Sequence, residues 1–180
     1  MRQRIALVVV LILLGLVAWF VLYPPLPFVD PGEYDRTNVT VYSDDGEQLG
    51  TVDVRIADSQ DKRRVGLSRT ESLEEDTGML FVHGDADTHS YVMRNMEFPL
   101  DIIFVDANGT ITTIHHAPTD GGSYDGYGKY VLEVPRGWAN ETGVTTGNTV
   151  DIPSAVEAAV AAAHRQQRSA LAQHRSQRVL

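Results

Sequence analysis

The stretch Ser90–Asp106, SYVMRNMEFPLDIIFVD, sets polar side chains and a proline between two apolar runs. The first run is typical of a strand and the second of a buried strand. Proline rarely lies inside a strand because it has no amide donor. The middle of the stretch is therefore either a corner that satisfies its own polar groups or a set of side chains presented to a ligand.

Three side chains of this stretch are candidates for ligand binding: Arg94, Asn95 and Asp101. In the structural interpretation, a strand ends at Arg94, residues 95–99 turn a corner, and Asp101 caps that turn or pairs with Arg94. In the functional interpretation, Arg94 binds an anionic ligand with two parallel hydrogen bonds and Asn95 fixes its orientation.

The rest of the chain is rich in short apolar segments separated by turn signals such as Asn108-Gly109. This pattern predicts a mainly β domain, a compact sandwich or barrel with one or two short helices. One helix is expected over residues 59–67 with Asp58 as its N-cap, and another from Trp138 to Gly143. Strands are expected at Gly78–Val82 and Tyr91–Arg94, with a loop between them.

The chain divides into four predicted parts. They are a transmembrane anchor at 1–23, a Pro-rich spacer at 24–38, the β domain at 39–153, and an Ala/Arg-rich helical tail at 154–180.

The amino-terminal segment Ile5–Tyr23 is uncharged and long enough to span a bilayer. Arg2 and Arg4 precede it, which predicts a cytoplasmic amino terminus and a domain on the outer face of the cell membrane. The alternative, a cleaved signal peptide, is disfavoured because the nearest cleavage motif, Leu16–Ala18, lies inside the apolar run.

Charge and cysteine content exclude several classes of function. The chain has no cysteine, which rules out disulfides and thiol chemistry. Residues 24–153 carry 23 acidic and 9 basic side chains, a net charge of −14 with histidine neutral. So acidic a domain is not expected to bind nucleic acid. Only two residues are lysine, and this composition favours a halophilic archaeon as the source.

Three Asn-x-Thr motifs begin at Asn38, Asn108 and Asn140. Such motifs are glycosylation acceptors, so they predict a glycoprotein with an extracytoplasmic domain.

Other candidate site residues are less specific. His83, Asp85, Asp87 and His89 could bind a metal, but their spacing matches no EF-hand or helix-borne pattern. Two further residues, Glu133 and Trp138, are candidates for lining a pocket. There is no Gly-x-Ser-x-Gly motif to support a hydrolase, and the sequence names no cofactor.

Five ordered blocks resemble an uncharacterised family, domain of unknown function 192. The resemblance implies a compact, mainly β, jelly-roll-like domain without an established activity. The blocks are Val65–Arg69, Gly78–Val82, Tyr91–Met96, Pro99–Asp106 and Tyr130–Val134.

The chain departs from the family pattern at two positions. Arg94 stands where relatives usually have lysine, which keeps the charge but changes the donor geometry. Thr119 lies where a cysteine is often found, so thiol chemistry proposed for relatives cannot occur here.

From these features we expect a membrane-anchored domain that binds a small ligand, a glycan or an envelope partner through the corner around Arg94. The alternatives are a metal-dependent enzyme that uses the segment His83–His89 and a purely structural envelope component.

Overall fold

A computed structural model describes residues 30–162 and residue 165. The predicted anchor, residues 24–29 of the spacer and most of the tail lie outside these residues. Within the described part of the chain, none of the helices has the length and apolar character needed to cross a bilayer.

The described residues are mainly β, as the sequence predicts. Seven strands and two short helices occur in the following order: β1 (Arg36–Tyr42), β2 (Gln48–Ala57), α1 (Gln60–Val65), β3 (Thr77–Val92), β4 (Leu100–Val105), β5 (Ile111–Ala117), β6 (Ser123–Pro135), α2 (Trp138–Thr142) and β7 (Thr149–Asp151). Residues 154–162 are also helical.

All seven strands belong to one curled sheet with the order β5-β4-β6-β3-β2-β1-β7. A half-barrel of this kind differs from the pair of packed sheets in a sandwich or jelly roll. Its two edges meet at one end, where Thr110 pairs with Thr149 and the Ile111 amide donates to the Asn148 carbonyl at 2.9 Å.

The pairing of β2 with β3 is parallel, whereas the other strand pairs are antiparallel. A parallel pair needs a long crossover connection, and here it contains α1 and residues 66–76. The crossover therefore supplies a helix that lies beside the sheet.

Alternating side chains give the sheet two apolar faces. The concave core joins residues from all seven strands, among them Ile111 near one edge and Val150 at the other. Val156 and Val160 of the tail helix also pack there. The convex core lies on the opposite face and includes Phe81.

Both predicted short helices are present, with one difference in detail. Ser59, not Asp58, caps α1, and its hydroxyl accepts from the Lys62 amide at 3.2 Å. Asp58 instead pairs with the Lys62 ammonium at 3.0 Å. The second helix begins at Trp138 and ends before Gly143, as expected from the sequence.

The segment that the sequence suggested as a loop between two strands is part of one long strand, β3. It remains extended because β6 runs alongside it on both sides of a bulge between Val82 and Asp87. The bulge inserts residues 83–86 against Lys129 alone in the partner strand.

Candidate functional site

A cleft of about 550 Å³ lies between α1 and the second half of β3. Its volume is in the range of small-molecule sites. The crossover that contains α1 forms one wall, and the convex face of the sheet forms the floor. Apolar side chains of the convex core line part of it: Leu67, Phe81, Met93 and Leu100.

Glu133 lies on the floor of the cleft, in the middle of β6. Its neighbours across the sheet are Met79 in β3 and Ile102 in β4, both apolar. It is only 7% exposed, and its carboxyl has no hydrogen bond or ion pair with another described residue. Burial raises the pKa of Glu133 to about 8, so the carboxyl is protonated at neutral pH and can both donate and accept.

Tyr91 lies near this carboxyl and contacts one of a pair of histidines. The Tyr91 hydroxyl lies 2.9 Å from Nε2 of His83, whose ring stacks on His89 with a centroid distance of 3.5 Å. Burial, reinforced by His89 and Arg63, lowers the pKa of His83 to about 4. Burial and the nearby Glu133 carboxyl raise the pKa of Tyr91. The His83 and Tyr91 rings therefore add uncharged hydrogen-bonding groups to the cleft.

Nε2 of His89 is buried and has no hydrogen-bond partner among the described residues. Buried polar atoms in folded proteins are nearly always paired. A group that enters the cleft is the natural partner for this nitrogen.

Three arginines add positive charge to the cleft. Arg63 of α1 is half-buried and donates from Nη1 to the Val82 carbonyl at 2.8 Å, which holds it against β3. Arg64 and Arg94 are exposed and line the cleft without an ion pair to another described residue. Glu133 is the single acidic residue among the described residues that line the cleft.

The structure brings some of the predicted site residues into this cleft and keeps others out. Arg94, Glu133, His83 and His89 all line it. Asn95 does not. It is exposed at the corner with a φ of 58°, a left-handed conformation that asparagine tolerates better than most residues.

Asp101 lies on the other face of the sheet and does not pair with Arg94. Its carboxylate is fully buried and accepts hydrogen bonds from the amides of Gly137 at 3.1 Å and Ala139 at 3.0 Å. Nδ1 of His116 lies 2.6 Å from its other oxygen, and Arg136 is 3.8 Å away. Asp101 thus caps α2 from a distant strand.

Trp138 also belongs to the opposite face. It is buried in the concave core, and its indole Nε1 donates to Asp76 at 2.8 Å. Its ring fills the space beside Gly50, where a Cβ would come within 2.7 Å of it. The residue therefore serves packing and does not line the cleft.

The residues suggested as metal ligands are only partly assembled. The bulge in β3 stacks His83 on His89, whereas Asp85 and Asp87 are exposed. Within residues 30–162 and 165, no three His, Cys, Asp or Glu side chains are grouped so that they could hold a metal ion. The described geometry gives no support to metal chemistry at this segment.

Three cleft residues were not identified from the sequence: Arg63, Arg64 and Tyr91. A pair of adjacent arginines in a domain with few basic residues was the available signal. Their position beside Arg94 depends on the parallel crossover, which the sequence pattern did not reveal.

Residues 40–152 match the model of the DUF192 family, described as an uncharacterised ACR. A search among curated proteins finds no match.

Two crystal structures are similar to the chain. A candidate transcription regulator from Sinorhizobium meliloti 1021 is 29% identical with a TM-score of 0.63, over 68% of this chain and 97% of that chain. A protein of unknown function from Novosphingobium aromaticivorans DSM 12444 is 28% identical with a TM-score of 0.61, over 72% and 94% of the two chains.

Proposed function

The chain belongs to the DUF192 family, which is uncharacterised, and we therefore propose from the geometry of the cleft that it binds a small organic anion. The observation that carries this proposal is the gathering of three arginines around one cleft in a strongly acidic domain. Unpaired guanidinium groups favour carboxylates and phosphates because they present several donors in a fixed plane.

The apolar part of the cleft favours an organic ligand over an inorganic ion. Leu67, Phe81 and Met93 supply hydrophobic surface next to the charged groups. Ligand sites commonly combine such walls with a few polar groups that fix orientation. An anion with a carbon skeleton would contact both the apolar walls and the charged groups.

The proposal also includes an extracytoplasmic location, with Ile5–Tyr23 as a membrane anchor and the domain outside the cell. In support, Asn38, Asn108 and Asn140 are all exposed and accessible to a glycosyltransferase. Protease added to intact cells should remove the domain. Complete protection of the domain would contradict this location.

The description of one similar structure as a candidate transcription regulator does not favour DNA as the ligand of this chain. Residues 24–153 have a net charge of −14, which opposes binding to a phosphate backbone. An isolated patch of three arginines is better matched to a small anion.

Ligand binding can be tested by thermal unfolding of the full-length chain with organic anions such as glucuronate, hexanoate and benzoate. A ligand at one hundred times its Kd stabilises a protein by about 2.7 kcal/mol, which is readily detected. Arg94→Ala and Arg64→Ala should fold normally and lose this stabilisation.

Arg36→Ala is a matched control because Arg36 is exposed, pairs with Asp53 at 3.0 Å and does not line the cleft. It should keep the response. Stabilisation that survives both cleft substitutions, or no response to any anion, would contradict the proposal. A response to neutral sugars alone would instead favour a glycan.

A further inference from the structure

The floor of the cleft differs chemically from its rim. Arg64 and Arg94 supply exposed positive charge, whereas Glu133, Tyr91 and His89 are less exposed and offer hydrogen-bonding groups. An anion bound only by arginines would leave this lower set without partners. The ligand therefore needs a second kind of functional group.

Two of the lower groups have hydrogen-bonding capacity that no described residue uses. Within residues 30–162, the Glu133 carboxyl has no hydrogen-bond partner, and Nε2 of His89 is buried and unpaired. The Tyr91 hydroxyl is within hydrogen-bond distance of His83 and retains capacity for another hydrogen bond. Leaving such groups unsatisfied under a bound ligand would cost binding free energy.

Most of these lower groups can both donate and accept. A protonated carboxyl and a phenol each carry one O–H donor and acceptor lone pairs. Their complement is a hydroxyl group, which also donates and accepts. A second carboxylate on the ligand would offer acceptors alone and would be desolvated beside apolar strands.

Resting on the proposed anion-binding function, we propose that the ligand is a hydroxylated organic anion whose carboxylate meets Arg64 and Arg94 and whose hydroxyl groups meet Glu133 and Tyr91. Sugar acids and hydroxy acids belong to this class. Simple fatty or aromatic carboxylates lack the hydroxyl groups, and neutral sugars lack the negative charge.

Three probes of similar size separate the two features. Glucuronate carries both charge and hydroxyls, hexanoate carries charge alone, and glucose carries hydroxyls alone. Calorimetric titration of the full-length chain should show glucuronate binding at least about tenfold tighter than either of the others, the effect of one net buried hydrogen bond.

Glu133→Leu should remove most of the preference for glucuronate over hexanoate. Glu133→Gln retains a donor and an acceptor, so it should keep the preference. This second variant also guards against loss of folding in the first, and circular dichroism confirms the folded state of both. Tyr91→Phe should reduce the preference in the same direction.

The outcomes distinguish the two proposals. If hexanoate binds as tightly as glucuronate, or if Glu133→Leu keeps the preference, the hydroxyl inference is overturned and anion binding stands. If no carboxylate binds, or if glucose alone binds, both proposals fall. If glucuronate is preferred and the preference depends on Glu133, both are supported.

Discussion

Asp101 and Glu133 are both buried carboxyl groups, one register position apart on neighbouring strands, yet their surroundings are opposite. Asp101 faces the concave side and accepts from two backbone amides, with His116 and Arg136 close by. Glu133 faces the convex side, lines the cleft and has no hydrogen-bond partner among the described residues.

The difference separates a structural carboxylate from a functional candidate. The backbone amides that Asp101 accepts from would otherwise be unsatisfied at the start of α2, so its charge is used within the fold. Glu133 makes no hydrogen bond or ion pair within the described structure, so the cost of burying it is not offset by an interaction there. Groups of this kind concentrate at binding and catalytic sites.

The strongest test of the comparison is Asp101→Ala. The substitution leaves the Gly137 and Ala139 amides and His116 without their acceptor, and we expect the free energy of unfolding to fall by about 3 to 5 kcal/mol. Chemical denaturation would measure it. A loss below about 1 kcal/mol would contradict the structural role of Asp101.

Glu133→Gln should instead raise the free energy of unfolding, and the gain should depend on pH. Because the pKa of Glu133 is raised from 4.5 to about 8 in the folded protein, wild-type stability declines as pH rises between those values. The variant does not titrate, so its advantage should grow by about 1.4 kcal/mol per pH unit, or roughly 2.5 kcal/mol from pH 5.5 to 7.5.

Denaturation of the Glu133→Gln variant and the wild type across this pH range would measure the difference. An advantage that does not change with pH would show that Glu133 ionises normally. It would also remove the contrast with Asp101.

A smaller loss of stability is expected for a substitution of Trp138 at the start of α2. Trp138→Phe removes the hydrogen bond to Asp76 together with the Cζ2 and Cη2 atoms that lie beside Gly50, so it should cost more than the roughly 1 kcal/mol of the hydrogen bond alone. A double-mutant cycle with Asp76→Ala would isolate this hydrogen bond. Additive losses would mean that the indole N–H contributes nothing to stability.

The smallest effect on stability is expected for Arg94→Ala, within about 0.5 kcal/mol of the wild type, because Arg94 is exposed and has no ion pair within the described residues. If Arg94→Ala keeps its stability and loses anion binding, as proposed above, Arg94 serves ligand binding, like Glu133, and not the fold, like Asp101. A large destabilisation would instead assign it a structural role.

The sequence was sufficient for most local features of this fold, although Ser59 and not Asp58 caps α1 and the expected loop is part of β3. Alternating apolar residues and the Asn108-Gly109 turn predicted the strands, and Trp138 and Gly143 marked the limits of α2. These signals are local because side-chain period and turn chemistry are properties of neighbouring residues.

The candidate site was harder to predict because it depends on long-range geometry. In a regular strand, His83 and His89 would be about 20 Å apart, and only the bulge in β3 stacks their rings. Glu133 was identified as a candidate, but its position on the face opposite Asp101 follows from the register of β4 against β6. Sequence pattern alone does not fix that register.

The meeting of the sheet edges has a consequence for how the chain acquires its fold. β7 pairs with β1, more than 100 residues earlier in the chain, and the bridge to Thr110 also involves this last strand. Loops of that length close slowly because many chain conformations must be searched before the contact forms. We expect one side of β1 to stay unpaired until residues 149–151 have been synthesised, which makes this edge the most aggregation-prone part of the nascent domain.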